Sequence, residues 1–134
     1  MPASQFTVTL GVQFTPPSAP VNSGVSTFGA QGNCDAQNVG TIDVPTTMTP
    51  PTTYDIPFGS VASASMVLVK NNMTAAVGLK INGSVTVNFD LAPGAIFMMA
   101  GPTASAGVPL ISVSATVTAA PTATEQLSYF VFGS

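Results

Sequence analysis

Phe6-Thr7-Val8-Thr9-Leu10-Gly11-Val12-Gln13-Phe14 alternates large apolar residues with polar or small ones along its whole length. Only an extended chain sends successive side chains to opposite faces, so this stretch predicts a strand with one face on a core and one toward polar surroundings. The same period recurs in Val77/Leu79, Val85/Val87/Phe89, Ile111/Val113/Ala115/Val117 and Leu127/Tyr129/Val131, with denser apolar runs at 65–70 and 95–99. No amphipathic helical stripe is visible. Thr and Val are abundant and suit a pleated surface, and 12 Pro plus 12 Gly fall mainly between the apolar runs, where turns belong. The pattern predicts an all-β fold: eight to ten short strands in an antiparallel β-sandwich or barrel, as one domain over residues 1–134.

One hairpin can be read in detail. A two-residue turn at Asn82-Gly83 would oppose Ile81 to Ser84 and mix apolar with polar positions on each face. A three-residue loop, Ile81-Asn82-Gly83 with Gly83 left-handed in a bulge, pairs Leu79 with Val85 and Val77 with Val87 instead, and this is the register expected. A tight connection at Asn71-Asn72 would then make 63–89 a three-stranded meander. Residues 15–24 and 45–57 are too rich in proline for a central strand and are expected as extended arms, edge segments or long loops. As docking segments with little freedom to lose, they supply the candidate intersubunit contacts: Pro16, Pro17 and Pro20 in the first, Met48, Pro50, Pro51 and Tyr54 in the second.

Composition narrows the function. At 134 residues the chain can build one sufficient core without disulfide or metal. Charged residues make up 5% of it, against about 25% in an average domain. It has no His, Arg or Trp; the cations are Lys70 and Lys80, the anions Asp35, Asp43, Asp55, Asp90 and Glu125. Without His the common nucleophile-base systems are excluded, and no catalytic residue is proposed. Two Lys at a net charge of -3 do not neutralise a phosphate backbone, so nucleic acid is excluded as partner. The longest apolar run, residues 95–100, is far short of the ~20 residues of a membrane-spanning helix. The amino terminus has no positive n-region and apolar h-region, which predicts a chain that is not exported.

Neither a cofactor nor a small-molecule substrate is implied. Residues 33–38 are oxygen-rich, yet Asp35 is their only acid, so Asx turns at Asn33, Asp35 and Asn38 are expected rather than a calcium loop. Cys34 has no internal partner and reads as a packed thiol. Asn72 and Asn82 open sequons and read as turn residues. Gly101–Gly107 has glycines but no Lys, so it reads as a surface loop and no phosphate cradle. Tyr54, Tyr129, Phe28, Phe58, Phe130 and Phe132 could line a sugar groove, but the alternation of Tyr129 with Phe130 sets one ring on each side of the last strand, and core packing is expected instead. What remains is the surface. An exterior of Thr, Ser, Asn, Gln, Gly, Pro, Ala and some exposed apolar groups offers little charge to desolvate, which suits assembly with other protein.

Within 54–134, the apolar strand running into Asn71 (Met66-Val67-Leu68-Val69-Lys70-Asn71) is followed by the turn Leu91-Ala92-Pro93-Gly94 leading into Ala95-Ile96-Phe97, and the chain closes with Leu127-Ser128-Tyr129-Phe130-Val131-Phe132. This part resembles the small jelly-roll virion proteins of tailed bacteriophages, particularly head cement or decoration proteins. The resemblance implies a jelly-roll-like sandwich without catalytic activity, found in the virion after assembly in the host cytoplasm. Its partners would be the major capsid protein and copies of itself, bound so that the subunit crosses capsid junctions. Residues before Tyr54 have no counterpart in that pattern. A tail or fibre component that binds a receptor or glycan, or a carbohydrate-binding β-sandwich module, would use the same architecture.

Overall fold

The computed structural model describes residues 4–13, 25–100 and 110–134. They form ten strands, and no helix occurs among the described residues. β1 (Ser4–Gln13) and β2 (Val25–Cys34) make a separate antiparallel ribbon. The remaining strands are β3 (Ala36–Val44), β4 (Thr52–Asp55), β5 (Ala64–Asn71), β6 (Val77–Ile81), β7 (Phe89–Leu91), β8 (Ile96–Ala100), β9 (Val113–Val117) and β10 (Glu125–Gly133). They form two four-stranded antiparallel sheets, a front sheet ordered β3-β10-β5-β8 and a back sheet ordered β4-β9-β6-β7. This is the β-sandwich that the two-residue period demands.

The pairings are nested. β3 pairs with β10, β4 with β9, β5 with β8 and β6 with β7. Residues 36–133 are therefore doubled back once, at the loop between β6 and β7, and the doubled chain is wrapped until β10 also meets β5 and β9 also meets β6. Between the sheets lies one core, with Val67, Val69, Leu79, Val117, Leu127 and Val131 almost wholly withdrawn from solvent. β10 shows how the period builds it: Leu127, Tyr129, Val131 and Gly133 are buried, while the intervening side chains face out. Tyr129 packs inward as expected. Its register partner is Gly40, where an added Cβ would lie 2.7 Å from the Tyr129 hydroxyl, so the glycine leaves room for the ring.

The predicted bulged hairpin does not form. Asn82 and Gly83 both have positive φ, 50° and 73°, and Ser84 N–H donates to Ile81 O at 3.1 Å, which closes a two-residue turn of the primed kind. The chain then leaves the ladder. Val85 is 90% exposed, and the strand resumes at Phe89, with Leu79 opposite Phe89 and Val77 opposite Leu91. Asn88 bridges the gap, its N–H donating to Leu79 O and its Oδ1 accepting from Ile81 N–H. The detour displaces the partner strand by three residues relative to an uninterrupted two-residue hairpin. An odd displacement exchanges the faces, so Phe89 and Leu91 join Val77 and Leu79 on the inner side. The requirement that apolar faces match was sound, but a longer excursion meets it. Gly83→Ala is expected to destabilise the chain by about 1 kcal/mol in urea unfolding, because nothing lies within 4 Å of an added Cβ and backbone strain alone acts there.

The meander is also corrected. β5 and β6 belong to different sheets, and the chain crosses between them at Asn71 through a bend at 73–75. Burying a corner requires that its polar backbone be satisfied, and Asn71 does this. It is 0% exposed; its Nδ2 donates to Ala75 O and Leu91 O, and its Oδ1 accepts from Met73 N–H. Its own N–H and carbonyl are bonded to Ala95 O and Gly94 N–H. The turn 92–95, with Pro93, Gly94 at φ 76° and Ala95 N–H on Ala92 O, is the type II geometry that Pro-Gly favours.

The expected Asx turns at 33–38 are replaced by strand. Asn33 lies in β2 and Asn38 in β3, with the only bend at Asp35. Asn38 instead donates from Nδ2 to Pro57 O at 2.8 Å. The segment 45–57 combines a turn, in which Met48 N–H reaches Pro45 O, with edge strand β4. Residues 15–24 and the glycine loop Gly101–Gly107 lie outside the described residues.

Candidate interaction surface

The wrapped sandwich carries apolar side chains on its outside as well as within. Outward positions of β10 are Phe130 and Phe132, and the register extends them sideways. Val39 pairs with Phe130, Phe130 with Leu68, and Leu68 with Met98, forming one apolar row across all four strands of the front sheet. Val39 is 48%, Phe130 40% and Met98 37% exposed, with Leu68 half-buried between them. Four such residues in register make a continuous surface rather than scattered exposure, which would need no explanation.

Beside this row, Met66 is buried under Cys34, with Leu68 and Phe132 packed around the pair. Cys34 is thus a packed free thiol, as expected. It ends β2, and Asp35 N–H donates to Gly133 O at 2.8 Å, so the root of the ribbon is seated on the front sheet's outer face.

At the other edge the row turns a corner. Met98 also lines a groove of about 550 Å³ with Ile81, Asn88, Phe89, Phe97 and Met99. Phe89 of the back sheet and Phe97 of the front sheet hold its floor, ring centroids 5.4 Å apart at 37°. The apolar surface therefore runs from β3 across the front sheet to the mouth between β8 and β7. No charged side chain lines the groove or stands in the row.

The proline-segment candidates are divided by the fold. Pro50 and Pro51 are exposed, whereas Met48 and Tyr54 pack partly against the core. Pro16, Pro17 and Pro20 lie outside the described residues. Of the aromatic set, Tyr129 lies in the core with Tyr54 and Phe58 packed against it, and Phe130 and Phe132 lie on the outer face, so these five do not converge; the side chain of Phe28 lies outside the described residues. Among the acids, Glu125 is engaged in structure. Its two oxygens accept from the N–H and hydroxyl of Thr74, pinning the 73–75 bend to the start of β10. Asp43 likewise accepts from Gln126 Nε2. Among the described residues, no three of Cys, Asp and Glu gather in a metal-holding group.

Composition requires some exposed apolar groups, but it does not say that they line up in one row. The signal was present in Phe130 and Phe132 themselves, which alternate with Tyr129 and Val131. What was lacking was the register that sets them beside Val39, Leu68 and Met98. Comparison with known proteins adds no relative: no family model matches the chain, and no curated protein or solved structure is significantly similar to it.

Proposed function

We propose that this chain is a non-enzymatic structural protein of a virion, a cement or decoration protein that associates with itself and binds across capsid subunits of a bacteriophage head. The observation that carries this reading is the uncharged apolar row running from Val39 to the Phe89–Phe97 groove on a two-sheet sandwich. Such a surface buries against protein with little charge to desolvate. The nested pairing of eight strands supports a jelly-roll reading, an arrangement that viral capsid domains use. The resemblance of 54–134 to phage head proteins points the same way. Many modest contacts repeated by shell symmetry then hold the subunit through multivalency, and its work is mechanical. Pro50 and Pro51, exposed at one end of the sandwich, are further contact points.

Sedimentation with shells assembled from the major capsid protein of the same genome tests this. The chain is expected to co-sediment, to saturate at a multiple of the shell's symmetry number, and to raise the temperature at which the shell disassembles. Failure to co-sediment with the chain in large excess overturns the reading.

A further inference from the structure

We infer that the free edge of β8 is a docking site for an extended segment of another protein, which adds as a fifth strand of the front sheet and sets uncharged apolar side chains into the Phe89–Phe97 groove. This goes beyond the reading above and does not depend on a shell. The inference begins with the ladder. Among the described residues β8 pairs only with β5. Asn71 N–H donates to Ala95 O at 3.0 Å, and the bonds of an antiparallel ladder alternate, so Phe97 and Met99 turn their N–H and C=O toward β5 while Ile96 and Met98 turn theirs outward. Edge strands are normally blunted by charge, proline or shortness. β3 carries Asp43, β4 follows Pro50 and Pro51 and carries Asp55, and β7 has three residues with Asp90 at their centre. β8 has no charge, proline or glycine.

The layer behind this edge is unfinished. Val67 on β5 is wholly buried, whereas its register partner Met99, on the same inner face, is 45% exposed, because β7 covers three residues of the mouth where β8 spans five. Phe89 is likewise exposed there. The groove that results, about 550 Å³, falls in the roughly 300–1,000 Å³ class of ligand clefts. A strand laid against β8 places alternate side chains beside Phe97 and Met99, over Phe89, and the others beside Ile96 and Met98 on the outer face. The inward set must be apolar. No charged side chain lines the groove, and Asn88, its polar lining residue, has its Oδ1 occupied by Ile81 N–H, so a charge arriving there would be desolvated without a partner. Lys70, opposite Ile96, stands exposed on the outer face and takes no part in the groove.

Area selects a free segment over a second copy at this edge. The side of the sandwich here is about 17 Å long, from five rises of about 3.3 Å, and about 20 Å deep, for two sheets about 10 Å apart with their outer side chains. Two folded copies meeting there would bury roughly 700 Å² in total, below the roughly 1,200–2,000 Å² of a stable pair. An extended segment needs no match between two rigid sides. Main-chain bonds to Ile96 and Met98 hold it, and its inward side chains supply the specificity.

Fluorescence anisotropy with the full-length chain and a labelled, end-capped nine-residue peptide of alternating Thr and Leu tests the inference, with circular dichroism confirming the fold of each variant. Saturable binding is expected. With Leu inward and Thr opposite Ile96 and Met98, the Thr N–H groups face β8, so N-methylation of the Thr residues is expected to weaken binding at least tenfold and N-methylation of the Leu residues to leave it unchanged. Lys in place of the peptide's Leu residues is expected to abolish it. These arms use the wild-type protein and need no variant to fold. In the protein, Met98→Pro, which removes one outward N–H, and Phe89→Ser, at the groove, are each expected to raise Kd at least tenfold, whereas Val39→Ser, at the opposite edge of the same sheet, is expected to leave it unchanged. No saturable binding, binding indifferent to which amides are methylated, or a wild-type dimer that Met98→Pro dissociates overturns the inference. Peptide binding by a chain that ignores shells leaves it standing while the capsid reading fails, and shell binding without peptide binding does the reverse.

Discussion

Asn71→Ala is expected to lower the unfolding free energy by about 3–5 kcal/mol, the largest loss from any single polar side chain in the described fold. The substitution leaves Met73 N–H, Ala75 O and Leu91 O without the partner each has now, at a corner closed to water. Each orphaned group costs about 1–3 kcal/mol, and the vacated volume adds to this. Asn71→Asp keeps an acceptor for Met73 N–H but loses both donated bonds and sets a carboxylate facing two carbonyls, so it should be no better than alanine at neutral pH. Urea unfolding followed by far-UV circular dichroism measures the effect. Asn72→Ala serves as the comparison: its exposed side chain makes one bond, to Ser128 Oγ, and its removal should cost less than about 1 kcal/mol. Equal losses at the two positions would mean that the corner does not depend on Asn71.

Gly133→Ala is the second large effect, expected at about 3 kcal/mol or more in the same assay. A Cβ at this position would run into the backbone oxygen of Ser63, with Val61 Cγ1 at 2.8 Å and Ala64 Cα at 2.9 Å. Backbone cannot step aside there. Ser134 N–H donates to Ser63 O, and Ala62 and Ser63 N–H both donate to Ser134 O, so the closing strand is sewn to the segment it would have to displace. The register irregularity of β10 against β5 at Phe132/Gly133 is the same close approach seen in the pairing. Gly78→Ala provides the contrast. An added Cβ would meet the Val87 side chain at 2.6 Å, but Val87 is a partly exposed loop residue that can turn away, and the loss should stay below about 1.5 kcal/mol. A small effect at Gly133 would show that β10 can shift relative to 61–64.

These two positions mark the limit of sequence reading in this chain. Val67, Val69, Leu127 and Val131 were legible as core because their period is two and their side chains are large. β3 was not legible. Its inward residues begin Ala36, Asn38 and Gly40, none of them a large apolar group, and it is strand because Tyr129 fills the space above Gly40 and Pro57 O takes the Asn38 amide. β4 follows two prolines and survives as a strand because it lies at the edge of the back sheet, paired on one side only. The bulged loop expected after β6 does not form because turn chemistry and face matching are met by different residues. In the structure Asn82-Gly83 supplies the first, and the detour to Asn88 supplies the second.

For the candidate surface the division falls elsewhere. Composition alone established a chain poor in charge, and alternation alone established strands with one apolar side; both are local properties, written in each residue and its near neighbours. Which strands become neighbours is a matter of wrapping, and wrapping joins Val39, Leu68, Met98 and Phe130 from four distant places in the chain. No local period encodes that meeting. It arises because β10 lies between β3 and β5, a placement set by how the two inner faces exclude water together, and the outer row is a consequence of that burial.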